Sequence, residues 1–97
     1  MNAQAGHTSP ADRQRRIDET IQHGQRLHYQ ALEALKRGQR DLAIRDFRRA
    51  IDEYTEALRL DSKHLTAYLY RARAYEQLGE DDKAEADLAA ARKLEHP

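Results

Sequence analysis

The fold of this chain is decided by residues 68–79, YLYRARAYEQLG, and by three residues that follow them at helical spacing, Ala84, Leu88 and Ala91. The aromatic and small residues recur at steps of three and four, which is the spacing of one helix face. Gly79 indicates a helix end, and residues 80–82, EDD, place negative charge where the next helix begins. Because bulky rings alternate with small alanines, the pattern predicts two closely packed antiparallel helices.

This arrangement resembles a tetratricopeptide repeat, a helical hairpin of about 34 residues that stacks on its neighbours. The residues that carry the resemblance are Tyr68, Arg71, Ala72, Ala74, Tyr75, Leu78, Gly79, Ala84, Leu88 and Ala91. Tyr68 stands for the usual Trp, Ala72 for the usual Gly and Leu88 for the usual aromatic residue, and Pro97 comes one place late.

An earlier and weaker copy of the pattern precedes this one. Its residues are Leu27, Ala31, Ala34, Gly38, Ala43, Phe47 and Ala50. Gly38 and Gly79 lie 41 residues apart, seven more than the repeat length. Seven residues are two helical turns, so an extension of the second helix keeps the same face inward. The spacing therefore predicts a long first hairpin, in which this extension packs against Ile17, Ile21 and Gly24.

The predicted architecture is all-α, with antiparallel helical hairpins stacked as a short α-solenoid. The four helices are expected at about 10–37, 41–60, 64–78 and 81–94. Repeat one (about 10–61) and repeat two (about 62–97) form a single domain over residues 9–97, and residues 1–8 are predicted to be a disordered lead. Ser9 and Pro10 predict the start of the first helix, while Asp41 and Ser62 are expected to cap the second and third helices.

The composition favours the same class. Large aliphatic residues and Phe make up only 16 of 97 residues, and Val is absent, but 16 alanines allow helices to pack closely. With no cysteine, disulfides, zinc–thiolate sites and thiol nucleophiles are excluded. The chain has no long apolar run, and residues 1–10 lack the features of a secretory signal, so we expect a cytoplasmic protein that does not cross a membrane.

Neither catalysis nor metal or cofactor binding is predicted. No Ser or Thr has a His and a carboxylate at a recognisable spacing. The five histidines are scattered, and His23 and His28 point about 140° apart on a helix. We therefore expect the histidines to be solvated or to line a groove rather than to bind a metal.

The resemblance implies a binding protein, because the first helix of each tetratricopeptide repeat lines a concave groove that accepts a partner peptide or helix. We call the matching positions the groove residues: Gln25, His28, Leu32, Leu35, Lys36, Thr66, Leu69, Arg73, Glu76 and Gln77. Two repeats make only a short groove, so the alternative is that these residues form a solvated face. The family's clamp for carboxylate tails needs Lys and Asn where this chain has His28, Leu32 and Tyr70, which disfavours that ligand class.

Two other functions stay open, a self-assembling homodimer and a nucleic-acid contact. Residues 1–49 hold 10 basic and 6 acidic side chains, a net charge of +4. Residues 50–97 hold 7 basic and 11 acidic side chains, a net charge of −4, so the two halves cancel to zero. This polarity favours contact between copies, and the apolar surface expected to be left open for a dimer comprises Tyr54, Tyr70, Leu69 and Leu35.

The basis for a nucleic-acid contact is a pair of arginine clusters, residues 13–16 and 45–49. Asp41 and Glu53 lie four residues from Arg45 and Arg49, which predicts helix-surface pairing for part of this charge.

Overall fold

The computed structural model describes residues 9–97, which form four helices and no strand. They are α1 (Pro10–Lys36), α2 (Arg40–Leu60), α3 (Leu65–Gln77) and α4 (Asp81–Glu95). The predicted all-α class and the four helices are confirmed, each end lying within one residue of the predicted position. The predicted disordered lead, residues 1–8, lies outside the described residues.

The caps agree with the sequence at the first helix and differ at the next two. The Ser9 hydroxyl accepts a hydrogen bond from the Asp12 N–H at 3.0 Å, as an N-cap should. The predicted cap Asp41 is wrong, because α2 begins one residue before it and Asp41 lies inside the first turn, where its charge suits the helix dipole.

Ser62 is also not a cap. His64 takes that place, and its Nδ1 accepts from the Ala67 N–H at 3.2 Å. The preceding residues form a turn in which Lys63 N–H donates to the Asp61 carboxylate at 3.1 Å, so α3 begins only after His64.

Both hairpins turn through the same local structure. Gly38 and Gly79 have φ of +74°, the left-handed conformation that glycine adopts without strain. In the first turn Gly38 N–H donates to the Leu35 carbonyl at 3.0 Å and Gln39 N–H to the Ala34 carbonyl at 2.8 Å, and the equivalent bonds of the second measure 3.0 and 2.9 Å. This is the Schellman motif, which satisfies the last carbonyls of a helix.

The two helices of the first hairpin are joined by hydrogen bonds at the end opposite the turn as well as at the turn itself. Arg13 donates from Nε and Nη2 to the Leu60 carbonyl at 3.1 and 2.5 Å, joining the start of α1 to the end of α2. The predicted extension is therefore present and packs where expected. The core cluster that it builds comprises Ile17, Ile21, Leu27, Ala50, Tyr54, Ala57, Leu58 and Ala67.

Gly24 lies inside α1 and faces the ring of Tyr54 on α2. A β-carbon placed on Gly24 would stand 2.6 Å from Cε1 of Tyr54, well inside van der Waals contact. The absence of a side chain at this position therefore lets the Tyr54 ring lie against the backbone of α1.

The second hairpin docks on the first through α3. Arg71 of α3 donates two hydrogen bonds to the Asp87 carboxylate of α4, at 2.8 and 2.7 Å, and a third to the Thr55 hydroxyl of α2 at 3.0 Å. One guanidinium thus connects three helices. The second core cluster comprises Ala31, Ala34, Ala43, Phe47, Ile51 and Ala74.

Candidate binding groove

The groove residues lie on α1 and α3, which are in contact. The hydroxyl oxygens of Tyr29 and Tyr70 lie 3.3 Å apart and share a hydrogen bond between the two helices. Of the ten groove residues, nine are exposed or half-buried. The exposed ones are Leu35, Lys36, Arg73, Glu76 and Gln77, and the half-buried ones are Gln25, Leu32, Thr66 and Leu69.

His28 is the exception and corrects the expectation of a solvated or groove-lining histidine. Its side chain is buried at 4% exposure, because aromatic rings surround it. The ring centroids of Phe47, Tyr70 and Tyr54 lie 5.4, 5.7 and 6.4 Å from that of His28. Burial, and then the positive charge of Arg73, lowers the pKa of His28, which favours the neutral imidazole. His28 is therefore a packing residue beneath the groove.

Of the four apolar residues expected to remain open, one is buried, two are half-buried and one is exposed. Tyr54 is completely buried, at 0% exposure, because Gly24 leaves room for its ring against α1. Burial raises the pKa of the Tyr54 hydroxyl. Tyr70 is half-buried, and its ring centroid lies 5.9 Å from that of Tyr54. Leu69 is half-buried, whereas Leu35 is exposed as expected.

A cavity of about 340 Å³ opens beside the groove, where the turn of the first hairpin meets the end of α3. We call it the end pocket, and its lining residues are Leu35, Arg40, Ala43, Ile44, Phe47, Arg48, Gln77 and Leu78. The pocket brings together two groove residues from different helices, Leu35 of α1 and Gln77 of α3. Sequence reasoning missed the others, since they belong to α2 and to the end of α3. The available signal was Ile44, a large aliphatic residue beside the alanine face of α2.

The end pocket is accessible, and its lining combines aliphatic side chains with the polar side chains of Arg40, Arg48 and Gln77. Leu35 is 40% exposed and Ile44 is 42% exposed, and together with Tyr29 they are the exposed large hydrophobic residues of the described chain. Phe47 behind them is buried. Clustered exposed aliphatic side chains next to a cavity are typical of binding surfaces.

Two arginines, one in the groove and one in the end pocket, have no carboxylate partner in the described part of the chain. Within residues 9–97, neither Arg40 nor Arg73 forms an ion pair with a carboxylate. Both side chains are exposed, and the Arg73 guanidinium lies 5.4 Å from the ring centroid of Tyr70. Arg48, by contrast, pairs with Glu80, and this hydrogen bond lowers the pKa of the Glu80 carboxyl.

A larger depression of about 650 Å³ lies on α1 and α2 alone. No groove residue lines it, and charged side chains of both signs surround it, among them Arg26, Glu33, Arg37 and Asp46. Although it is larger, neither of the exposed aliphatic residues, Leu35 and Ile44, lines it. We therefore place the candidate site at the groove and the end pocket.

Both arginine clusters are occupied by internal acceptors. In the first, Arg13 donates to the Leu60 carbonyl, while Arg15 and Arg16 pair with Asp12 and Glu56. Each arginine of this cluster therefore has an internal acceptor, while the Arg15 and Arg16 side chains stay exposed to solvent.

In the second cluster, Arg48 pairs with Glu80, and Arg45 and Arg49 lie 3.3 and 3.7 Å from Asp46. The expected pairs with Asp41 and Glu53 are thus replaced, because the buried Asp46 carboxylate lies between these two arginines along α2.

Across residues 9–97, no group of three or more His, Cys, Asp or Glu side chains is arranged to hold a metal ion. None of the four helices is long and apolar enough to cross a membrane. Comparison of the chain with protein-family models, with curated proteins and with solved structures finds no match.

Proposed function

We propose that this chain is a non-enzymatic protein-interaction module that binds a peptide or helix of a partner along α1 and α3. One observation carries the proposal. Leu35 and Gln77, which the repeat pattern assigns to the groove from two different helices, line a single pocket that also holds the exposed aliphatic residue Ile44. The cytoplasmic location expected from the sequence remains part of this proposal.

We also propose that the two hairpins are tetratricopeptide-like repeats forming a short solenoid. What supports this is their equivalence at a spacing of 41 residues. The same glycine turn ends the first helix of each hairpin. Asp46 and Asp87, which lie 41 residues apart, are both buried at 4% exposure.

The expected affinity follows from the exposed apolar area. Completing the burial of two aliphatic side chains that are already more than half covered contributes about 1 kcal/mol each. Two such anchors change a dissociation constant by roughly 30-fold. The end pocket is thus expected to decide whether a partner segment is retained, with the rest of the groove adding polar contacts.

The test uses three forms of the full chain, immobilised at equal density: the natural protein, a Leu35→Asn, Ile44→Asn variant, and an Ala11→Asn, Ala86→Asn control. Ala11 and Ala86 are exposed helical residues that lie outside the groove residues, the larger depression and the end pocket. Proteins retained from source lysate are quantified by mass spectrometry. We expect the same partners on the natural chain and the control, and their loss from the double variant.

Thermal unfolding of all three forms checks that the fold is intact. Equal retention by the double variant and the natural chain would exclude the end pocket as the binding site.

Self-association is a second candidate, favoured by the division of charge between the two halves of the chain, +4 and −4. Opposite charges on two copies attract most strongly at low salt. Sedimentation at tens of micromolar protein, in low and high salt, tests it. A monomer under both conditions rules out the dimer and leaves the peptide-binding proposal standing.

A further inference from the structure

We propose that the partner segment is acidic and carries one apolar anchor residue, which enters the end pocket while neighbouring carboxylates pair with Arg40 and Arg73. The inference rests on the proposed function, since it names the class of partner that the same groove would take.

The anchor follows from the shape and lining of the end pocket. Its volume of about 340 Å³ is at the low end of ligand sites, which suits one or two side chains rather than a whole helix face. Leu35, Ile44 and Leu78 supply aliphatic walls, and the buried ring of Phe47 lies behind them. An apolar side chain seated there removes from water the two aliphatic groups that the fold leaves exposed.

The acidic character follows from the unpaired charges. Arg40 lines the end pocket itself, and Arg73 lies on the same side of α3 as the groove residue Gln77, one helical turn earlier. Guanidinium groups bind carboxylates through two parallel hydrogen bonds, and neither arginine makes such an interaction within the described chain.

The remaining charges nearby do not reverse this balance. Arg48 and Glu80 pair with each other, and Lys36 lies 3.5 Å from Glu33. The carboxylate of Glu76 is the acidic member of the groove residues and is outweighed by the two unpaired arginines. A basic segment would therefore be repelled by Arg40 and Arg73. An acidic segment would instead supply a carboxylate partner to each arginine.

The experiment selects from a library of random 12-residue peptides displayed on phage, with the folded full-length chain as bait. We expect the enriched peptides to share an apolar residue with Asp or Glu within a few positions of it. One enriched peptide is then synthesised, and its dissociation constant is measured by fluorescence anisotropy at two salt concentrations.

Three variants test the assignment of the contacts. Arg40→Gln combined with Arg73→Gln should weaken binding about tenfold at low salt and reduce its salt dependence, since exposed ion pairs contribute modestly and are screened by salt. Ile44→Lys should abolish binding. Lys63→Gln combined with Lys93→Gln is the matched control, because it removes the same charge outside the groove residues and the end pocket, and it should change affinity less than twofold.

The outcomes separate this inference from the proposed function. If peptides are enriched but show no acidic preference, or if the lysine control weakens binding as much as the arginine variant, the acidic partner is wrong and peptide binding stands. If no peptide is enriched, or if Ile44→Lys leaves binding unchanged, the groove is not the site and both proposals fail.

Discussion

The ring of Tyr54 lies so close to Gly24 that a β-carbon on the glycine would stand 2.6 Å from Cε1. In most helix interiors, replacing glycine by alanine raises the free energy of unfolding by about 1 kcal/mol. Here we expect Gly24→Ala to lower it by about 1–3 kcal/mol, because the buried ring has no space into which it can move. Urea denaturation followed by circular dichroism measures the difference.

The control places the same change in a Tyr54→Leu background, where the ring is gone. Alanine should there cost much less or become favourable. A stabilising Gly24→Ala in the natural chain would contradict the close contact.

The hydroxyl of Tyr54 is buried and has no hydrogen-bond partner among residues 9–97. An unpaired buried hydroxyl costs free energy that phenylalanine does not. We therefore expect Tyr54→Phe to leave the free energy of unfolding unchanged or to raise it by up to about 1 kcal/mol. A loss of more than 1 kcal/mol in denaturant titration would mean that the hydroxyl is bonded in solution.

The pair formed by Arg71 and Asp87 is mostly buried, with side-chain exposures of 18% and 6%. Its bidentate hydrogen bonds raise the pKa of the Arg71 guanidinium. We expect Arg71→Leu to cost about 2–4 kcal/mol, because it leaves the Asp87 carboxylate buried without a counter-charge.

Replacing both partners, as Arg71→Leu with Asp87→Leu, should recover much of this loss, since no unpaired charge remains. The exposed pair Arg59 and Glu56 is the matched control, and Arg59→Leu should cost much less than Arg71→Leu because solvent screens this pair. Equal losses for Arg71→Leu and Arg59→Leu would show that burial of the pair has no energetic effect.

His28 should make the free energy of unfolding depend on pH, and the direction of the lowered pKa fixes the sign of that dependence. Burial lowers its pKa in the folded state below the ordinary value of 6.5, so the unfolded chain binds a proton first as the pH falls. The free energy of unfolding should therefore decline as the pH falls from above 6.5 towards the lowered pKa, and His28→Leu should remove this part of the decline.

Carboxylates with lowered pKa values, such as Glu56 and Glu80, stop contributing to the free energy of unfolding only below their ordinary pKa of 4.5. The effect of His28 and the effect of the carboxylates therefore fall in different pH ranges. Denaturant titrations between pH 7.5 and 3 test both. The same slope near pH 6 in the His28→Leu variant would assign the dependence to another group.

Helix number and helix bounds were predictable because periodicity and glycine turns are local signals. The contact between Gly24 and Tyr54 was not predictable from the sequence. Each residue alone is a minor departure from the helical pattern, and the contact between them depends on the exact register of the hairpin. His28 and Tyr54 were misplaced for a similar reason. Periodicity reports which face of a helix a residue occupies, but not whether a ring from the next hairpin will cover it.

The candidate site shows the same limit. The repeat pattern placed Leu35 and Gln77 on one side of the molecule, and the structure brings both into the end pocket. Arg40, Ile44 and Leu78 could not be assigned from the pattern, because they contribute through the turn and through the packing of α3 on α2.

The two hairpins bury their residues unequally. The helices α1 and α2 hold seven and eight buried residues, whereas α3 and α4 hold three each. The second hairpin therefore has the lower local stability, and we expect its backbone amides to exchange with deuterium faster than those of α1 and α2. Since α3 supplies one wall of the end pocket, transient undocking of the second hairpin would open that pocket while the first hairpin stays folded. A bound segment would then slow exchange in α3 and α4, so ligand occupancy could be detected as protection of a hairpin that the ligand only partly touches.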